Sequence, residues 1–339
     1  RNEFADTGSC GLYLGGSVSD CRIVDNDVHH CGVSDKYSAG IEFPFYGGSA
    51  ADIGPRAYTD RILIAHNHVH DLPRDGIQLG ANPYGRNVVE YNRVERTALE
   101  TIDAGGIRCH RVISHLQGVA HMPQMAGHLV RHNLVAETRG CGVSAGRIVT
   151  PYPWPTFGIY LDEGSSHCTV YANVVSHSGV GAIINPGEFN TLENNVFAGN
   201  AVGIFFQAVP PLDKLRPPLG GNRFVHNIIY LAKGENFGYS LRNWTDTTLA
   251  VSDFNLFWKV GGTFHLQTQS ALDQPLTTRT LAEWQRMGFD RHSELGDPLF
   301  VDPSTNDYRL RPSSPAGRLG FVPVDLSTAG IRPVQATSF

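Results

Sequence analysis

The stretch VYANVVSHSGVGAII, residues 170–184, carries two beats in one short span. The first is apolar-x-x-Asn-x-apolar, centred on Asn173. The second is a glycine-announced apolar run starting at Gly181. Both recur along the chain. The asparagine beat returns as IVDNDV at 23–28, IAHNHV at 64–69, VEYNRV at 89–94, VRHNLV at 130–135, LENNVF at 192–197 and FVHNII at 224–229. Its asparagines are Asn26, Asn67, Asn92, Asn133, Asn173, Asn195 and Asn227, spaced by 41, 25, 41, 40, 22 and 32 residues. The unit is therefore about 22–25 residues, and the longer spacings are that unit plus a loop. The glycine beat reads GIEF at 40–43, GIQL at 76–79, GIRC at 106–109, GIYLDE at 158–163, GAII at 181–184, GIFF at 203–206 and GYSL at 238–241.

Each unit thus holds short alternating strands separated by tight turns, and none contains a convincing amphipathic helix. Such a unit can bury its apolar face only against the next one. The expected fold is all-β, a right-handed parallel β-helix of about nine coils. Val28, Val69, Val94, Val135, Val175, Phe197 and Ile229 should stack inward at one position. Ile23, Ile64, Val89, Val130, Val170, Leu192 and Phe224 form a second stack. The asparagine amides should bond along the axis, as stacked Asn does in cross-β structure. Asp71, Arg96 and Glu137 share one outward position, where alternating charges can pair. A β-sandwich or propeller is the competing architecture, but both beats keep phase over seven units.

The ends are also readable. TLAEWQRMGF from Thr280 has helical character, and DPLFVDPSTNDYRLRPSSPAG at 297–317 reads as a Pro-punctuated pair of short strands. An open β-helix end exposes unpaired backbone, so residues 1–267 are assigned to the β-helix and 268–339 to a C-terminal cap packed on it. The chain opens at Arg1 without Met or an apolar leader, which reads as a processed product. The N-terminal end has no obvious cap, so additional N-terminal coils or a domain before it, or a partner that covers it, are expected, with a secreted or periplasmic location. With 41% hydrophobic and 17% charged residues, the 339-residue chain can bury a core. Its 27 basic and 32 acidic residues argue against a nucleic-acid partner, and no apolar run is long enough for a membrane span. The six cysteines are too scattered for a disulfide scaffold; buried free thiols are expected at Cys21, Cys109 and Cys168.

Four insertions, near 44–60, 110–126, 139–156 and 208–221, rise around the glycine-announced strands, where loops on a rigid scaffold build sites. Aligning those strands on their glycines puts His110, Asp162, Asn185, Gln207 and Arg242 in one row. Glu42, Gln78, Arg108, Tyr160 and Glu188 complete the polar candidates, with His115 on an insertion. Fixed donors and acceptors suit sugar hydroxyls, and Trp154, Tyr160 and Phe206 offer faces for sugar rings. In FGIYLDEGSSH at 157–167, the adjacent carboxylates Asp162 and Glu163 leave a strand before a turn. In LETIDAGGIRCH at 99–110, Asp103 precedes a double glycine. Two carboxyls can act as acid and base, or as acid and nucleophile, on a glycosidic bond. A straight-strand alignment puts Asp103 and Asp162 about 20 Å apart, against the 5–9.5 Å such pairs need; either Gly105–Gly106 bends the chain back or the pairing is wrong. His66, His68 and His70 share one strand face, but no carboxylate spacing completes a familiar metal set. They are read as solvated surface residues, and no metal or cofactor is assigned.

The asparagine-punctuated coils, DAGGI at 103–107, GIYLDEGSS at 158–166 and the tail DPLFVD…DYRL…SPAGRLGF resemble right-handed parallel β-helix carbohydrate-active proteins of the pectin-lyase-like fold. Among them the chain looks most like proteins around glycoside hydrolase family 141, whose activities include α-L-fucosidase and xylanase. The resemblance implies Asp103 and Asp162 as the catalytic pair. The chain departs from the family pattern after Ile107, reading RCHRVISH where a Tyr-containing strand is common. The expected function is a glycoside hydrolase acting on a plant or algal polysaccharide or oligosaccharide. The competing functions are a polysaccharide lyase, using His110, His115, Arg108 or Arg242 on a uronate, and a non-catalytic carbohydrate-binding β-helix.

Overall fold

A computed structural model describes residues 1–16, 18–43, 59–80, 85–110, 127–144, 147–149, 155–208, 218–234 and 237–333. Three long sheets, parallel except for the last strand of one, run side by side along the molecule. Sheet I has eight strands, from Arg22–Val24 to Leu249–Asp253. Sheet II has ten, from Glu3–Ala5 to Glu294–Leu295, and sheet III has ten, from Leu12–Tyr13 to Thr277–Arg279. The chain visits I, II and III in turn. Among the described residues it completes eight coils, with a partial coil at each end.

The asparagine segment is a corner between a strand of sheet I and a strand of sheet II. The residue before each asparagine takes the left-handed conformation that turns the chain: Asp25, His66, Tyr91, His132, Ala172, Asn194 and His226, with φ between 51° and 60°. The asparagine then satisfies the backbone that the corner strips of its ladder. Asn133 Oδ1 accepts from Asn92 N and Nδ2 (2.9 and 3.0 Å), and Asn133 Nδ2 donates to Val89 O, Arg131 O and Asn173 Oδ1. The same set repeats from Asn26 to Asn227 and continues to Asn255. There the ladder ends on the buried carboxyl of Asp290, which also accepts from Ser252, Ser293 and Trp284.

Both expected apolar stacks form, strand register pairing Val28, Val69, Val94, Val135, Val175, Phe197 and Ile229 in one and Ile23 through Phe224 in the other. They belong to one core that runs the length of the molecule. The glycine beat has a packing cause. A Cβ on Gly106 would lie 2.9 Å from the carbonyl oxygen of Gly158, and one on Gly158 would lie 2.8 Å from that of Gly181. Only glycine lets successive coils approach so closely at this corner. Cys109 and Cys168 are buried in the core and Cys21 is partly exposed; all are free thiols. Arg96 pairs with Asp71 as expected (2.7 Å), while Glu137 takes Arg139 instead (3.0 Å).

At the C-terminal end, the helix Leu281–Arg286 starts with a capping box between Thr280 and Glu283. It lays Leu281 and the fully buried Trp284 over the last coil. Strands Phe300–Asp302 and Asp307–Leu310 then pair antiparallel. From there the chain does not stay at that end but runs back along the outer face of sheet II. Contacts of His177 with Asn306 (2.7 Å), Asn194 with Val322 (2.8 Å), His66 with Thr328 (2.8 Å) and Arg332 with Asp25 (2.5 Å) trace it to the first coils.

Candidate functional site

Sheet III presents two outward rows. Register pairs Tyr13, Glu42, Gln78, Arg108, Tyr160, Ile183, Phe205, Ser240 and Gln267 in the first. In the second, His110 pairs with Asp162 and Asp162 with Asn185, while Gln207 pairs with Arg242 and Arg242 with Gln269. Phe206, expected to offer a face to a sugar, points into the core and is 1% exposed. Side chains alternate along a strand, so with Ile204 inward it is Phe205 that reaches the outer face, in a cluster with Phe157, Tyr160 and Ile183. His115 and Trp154 lie outside the described residues, as do most of the four insertions.

The centre of the face is a charge cluster around Arg108. This side chain comes from the strand Ala104–His110 and is 4% exposed as a residue. One guanidinium nitrogen is ion-paired to Asp162 Oδ2, and the other lies 3.3 Å from the main-chain oxygen of Asp103 and 3.6 Å from Asp75 Oδ2. Its plane covers the Tyr160 ring at 4.8 Å. The Tyr160 hydroxyl in turn donates to Asp103 Oδ1 at 3.0 Å. Asp103 and Asp162 therefore sit on either side of one Arg–Tyr pair. The 20 Å separation of a straight strand does not hold. Asp103 lies in the left-handed conformation (φ 55°) before the strand, and Arg108 from that same strand and Tyr160 from the next coil reach back to it.

The two aspartates occupy unlike surroundings. Asp162 is 2% exposed and accepts from the Glu163 N–H (2.8 Å) and weakly from Asn185 Nδ2 (3.3 Å) as well as from Arg108. The Asp103 side chain is 55% exposed. Desolvation by the wall it lies against pushes its carboxyl above the ordinary value; the Arg108 charge opposes that push and Asp162 adds to it. Burial raises the Glu42 carboxyl, which accepts from the Ala39 N–H at 3.1 Å. His110 is buried, with Nε2 3.4 Å from Glu163 Oε2, and burial holds it below the usual imidazole value. Glu188 is not on this face. It lies in the turn beyond, buried, and its N–H donates to Ser166 Oγ at 3.1 Å.

Sequence reading missed Asp75, which is fully buried, accepts from the Gly105 N–H (2.6 Å) and lies 3.2 Å from Arg74 Nε. Its signal was present: it stands immediately before the Gly76 corner, where Phe157, Val180 and Val202 stand in later coils. A carboxylate on that apolar beat needs a cation, and Arg108 supplies one. Further along sheet III a cavity of about 540 Å³ is lined by Phe205, Gln207, Ser240, Arg242, Gln267 and Leu272, among others.

The family model for the right handed beta helix region matches residues 1–207. The chain belongs to the right-handed β-helix family. No curated protein sequence matches it. One solved structure, described as "The complex structure of XylC with xylose", matches at 11% identity with a TM-score of 0.46. The match covers 74% of this chain and 47% of the other, so the chain spans about half the length of that structure. In this β-helix the sheet III face combines carboxyls in unlike environments, fixed amide and guanidinium donors, and an aromatic-lined hollow.

Proposed function

We propose that the protein acts on carbohydrate as a glycoside hydrolase, with Asp103 and Asp162 carrying the reaction. The observation that supports this reading is the Arg108–Tyr160 pair, which draws two aspartates from different coils to one place on an outward face. Paired glycosidase carboxyls work when their surroundings differ, one kept protonated as the acid and the other acting as base or nucleophile. Asp103, half open to solvent and raised by desolvation, fits the acid. Asp162, oriented by Arg108 and the Glu163 N–H, fits the base or nucleophile once substrate displaces the weak Asn185 contact. Glu163 and His110 form a second carboxyl–imidazole pair beside it. A glycan lying along the axis from Asp162 over Asn185 would pass Gln207 and Phe205 two strands away and reach Arg242 three strands away, about 14 Å at the usual strand spacing. That span suits roughly three sugar units. The resemblance to family 141 hydrolases supports the same two aspartates.

A second reading, a lyase on uronate-containing glycans, is favoured by one side chain. Among the described residues Arg242 faces no carboxylate, its hydrogen bond going to Ser240 Oγ at 3.4 Å, so it could hold an acidic sugar. Against it, Arg108 is already committed to Asp162 and Asp75. The test is a panel of neutral and uronic glycans read for reducing ends and 235 nm absorbance together. Hydrolysis gives reducing ends alone, and Asp103→Asn and Asp162→Asn should each lower kcat at least 100-fold. Absorbance at 235 nm would move the reading to elimination. Unchanged turnover in Asp162→Asn would remove it from the reaction, and sugar binding without any product would leave a binding module.

A further inference from the structure

Outside the sheet III face, a cluster of histidines and carboxylates lies on the outer face of sheet II in the first coils. Asp27 in the strand Asp27–His29 pairs in register with His68 in the strand His68–His70, and His29 pairs with His70. Asp27 Oδ1 is 3.1 Å from His70 Nε2 and 3.4 Å from His68 Nδ1. All three ligand atoms lie within 4.8 Å of one another. His66, expected on the same face, is not there; it occupies the left-handed corner (φ 55°), stacks on Tyr91 and bonds Thr328 O.

We propose that Asp27 Oδ1, His68 Nδ1 and His70 Nε2 bind one divalent transition-metal ion of the zinc class. Three features of the geometry carry this. First, metal–ligand bonds of about 2.0–2.1 Å at tetrahedral angles put neighbouring ligand atoms about 3.3 Å apart, and the two Asp27–His distances are 3.1 and 3.4 Å. Second, the other nitrogen of each histidine faces a carboxylate: His70 Nδ1 lies 2.6 Å from Asp71 Oδ2, and His68 Nε2 lies 3.1 Å from Glu95 Oε1. A ligating histidine normally donates its second N–H in this way, which fixes the tautomer and the ring. Those carboxylates are themselves held, by Arg96 on both Asp71 and Glu95 and by Arg93 on Glu95; Arg96 also lies 3.3 Å from His70 Nδ1. Third, four carboxylates gather here, those of Glu3, Asp27, Asp71 and Glu95, and among the described residues the arginines paired with them are Arg93 and Arg96. Such a surplus of carboxylate oxygens suits a cation.

The ligand side chains are 13–32% exposed, so the fourth position opens to water. Asp27 precedes His68 by 41 residues. The ion therefore closes a long stretch of chain and ties two coils together, the arrangement in which a metal clip removes most loop entropy.

The test uses tag-free full chain stripped with a chelator and titrated with Zn²⁺ by calorimetry, then with Co²⁺ by visible absorption. One ion per chain is expected, with Kd in the micromolar range or tighter. The thermal midpoint should rise as the folding equilibrium shifts about 100-fold at a metal concentration of 100 Kd. His68→Ala/His70→Ala should abolish binding, and Asp71→Asn or Glu95→Gln should weaken it about 10–100-fold. Should the double variant fail to fold, anomalous density at the zinc edge in wild-type crystals decides the same point. A peak between the three ligand atoms supports the site, and its absence overturns it. No saturable binding below about 1 mM, or undiminished binding by a folded double variant, overturns it as well.

Discussion

Replacing Arg108 with methionine keeps most of the buried stem but removes the charge that joins Asp162, Asp75 and Asp103. Asp162 would retain the Glu163 N–H at 2.8 Å and the Asn185 amide at 3.3 Å, both neutral donors, with His110 Nε2 farther off at 3.9 Å. Asp75 would keep the Gly105 N–H at 2.6 Å and Arg74 Nε at 3.2 Å, so most of the loss falls on Asp162. Removing one partner of a buried ion pair costs about 3–5 kcal/mol, because a buried charge is left uncompensated. With Asp75 still paired, the lower end, about 3 kcal/mol, is expected. Urea unfolding followed by near- and far-UV circular dichroism measures it, in a cycle with Asp162→Asn. Once Asp162 has lost its charge, losing Arg108 should hurt less, with a coupling of about 2 kcal/mol, inside the range for residues in direct contact. A cost below about 1 kcal/mol, or additivity within about 0.5 kcal/mol, would refute the claim that this ion pair organises the face.

Three further outcomes are expected. Asn133→Ala leaves the Asn92 N–H buried without its acceptor and takes a donor from three oxygens. It should cost about 2–4 kcal/mol, more than Asn26→Ala, whose side chain is less fully buried, in parallel urea titrations. Gly158→Ala drives a Cβ into Val175 and to 2.8 Å from Gly181 O; overpacking of that kind costs about 1–3 kcal/mol or more. Gly317→Ala, with nothing within 4 Å, should stay within about 0.5 kcal/mol of wild type. The third concerns pH. Because the Asp103 carboxyl is raised in the folded state, the fold binds its proton more tightly than the unfolded chain does. Its contribution is present below the unfolded value near pH 4 and is lost as pH rises through the folded value. Asp103→Asn should flatten that fall, and urea midpoints at pH 4, 5, 6 and 7 report it; an unchanged slope would mean that Asp103 is not desolvated.

The β-helix was legible because each coil repeats the same physical requirements. An asparagine must satisfy a corner's backbone, a glycine must let the next coil approach, and apolar residues must face the axis. Those requirements act on residue types at fixed spacing, so Asn173, Gly181 and Val175 announce them locally. The row from His110 to Arg242 followed from the glycine phase for the same reason. Phe206 was misread because one residue along a strand exchanges inside for outside.

The site was only partly legible, since its contacts run between coils rather than along the chain. Asp103 and Asp162 are 59 residues apart, and their proximity depends on how far Arg108 and Tyr160 reach back across two strands. Asp75 joins them from another coil, just as Asp27 joins His68 and His70. Sequence alone determined the repeat, two apolar stacks and the face on which polar groups would gather, because period and residue type fix them. Tertiary structure decided which of those groups touch and which are buried. Stacking sets each side chain beside neighbours some 22–41 residues away along the chain, and long side chains then choose among them.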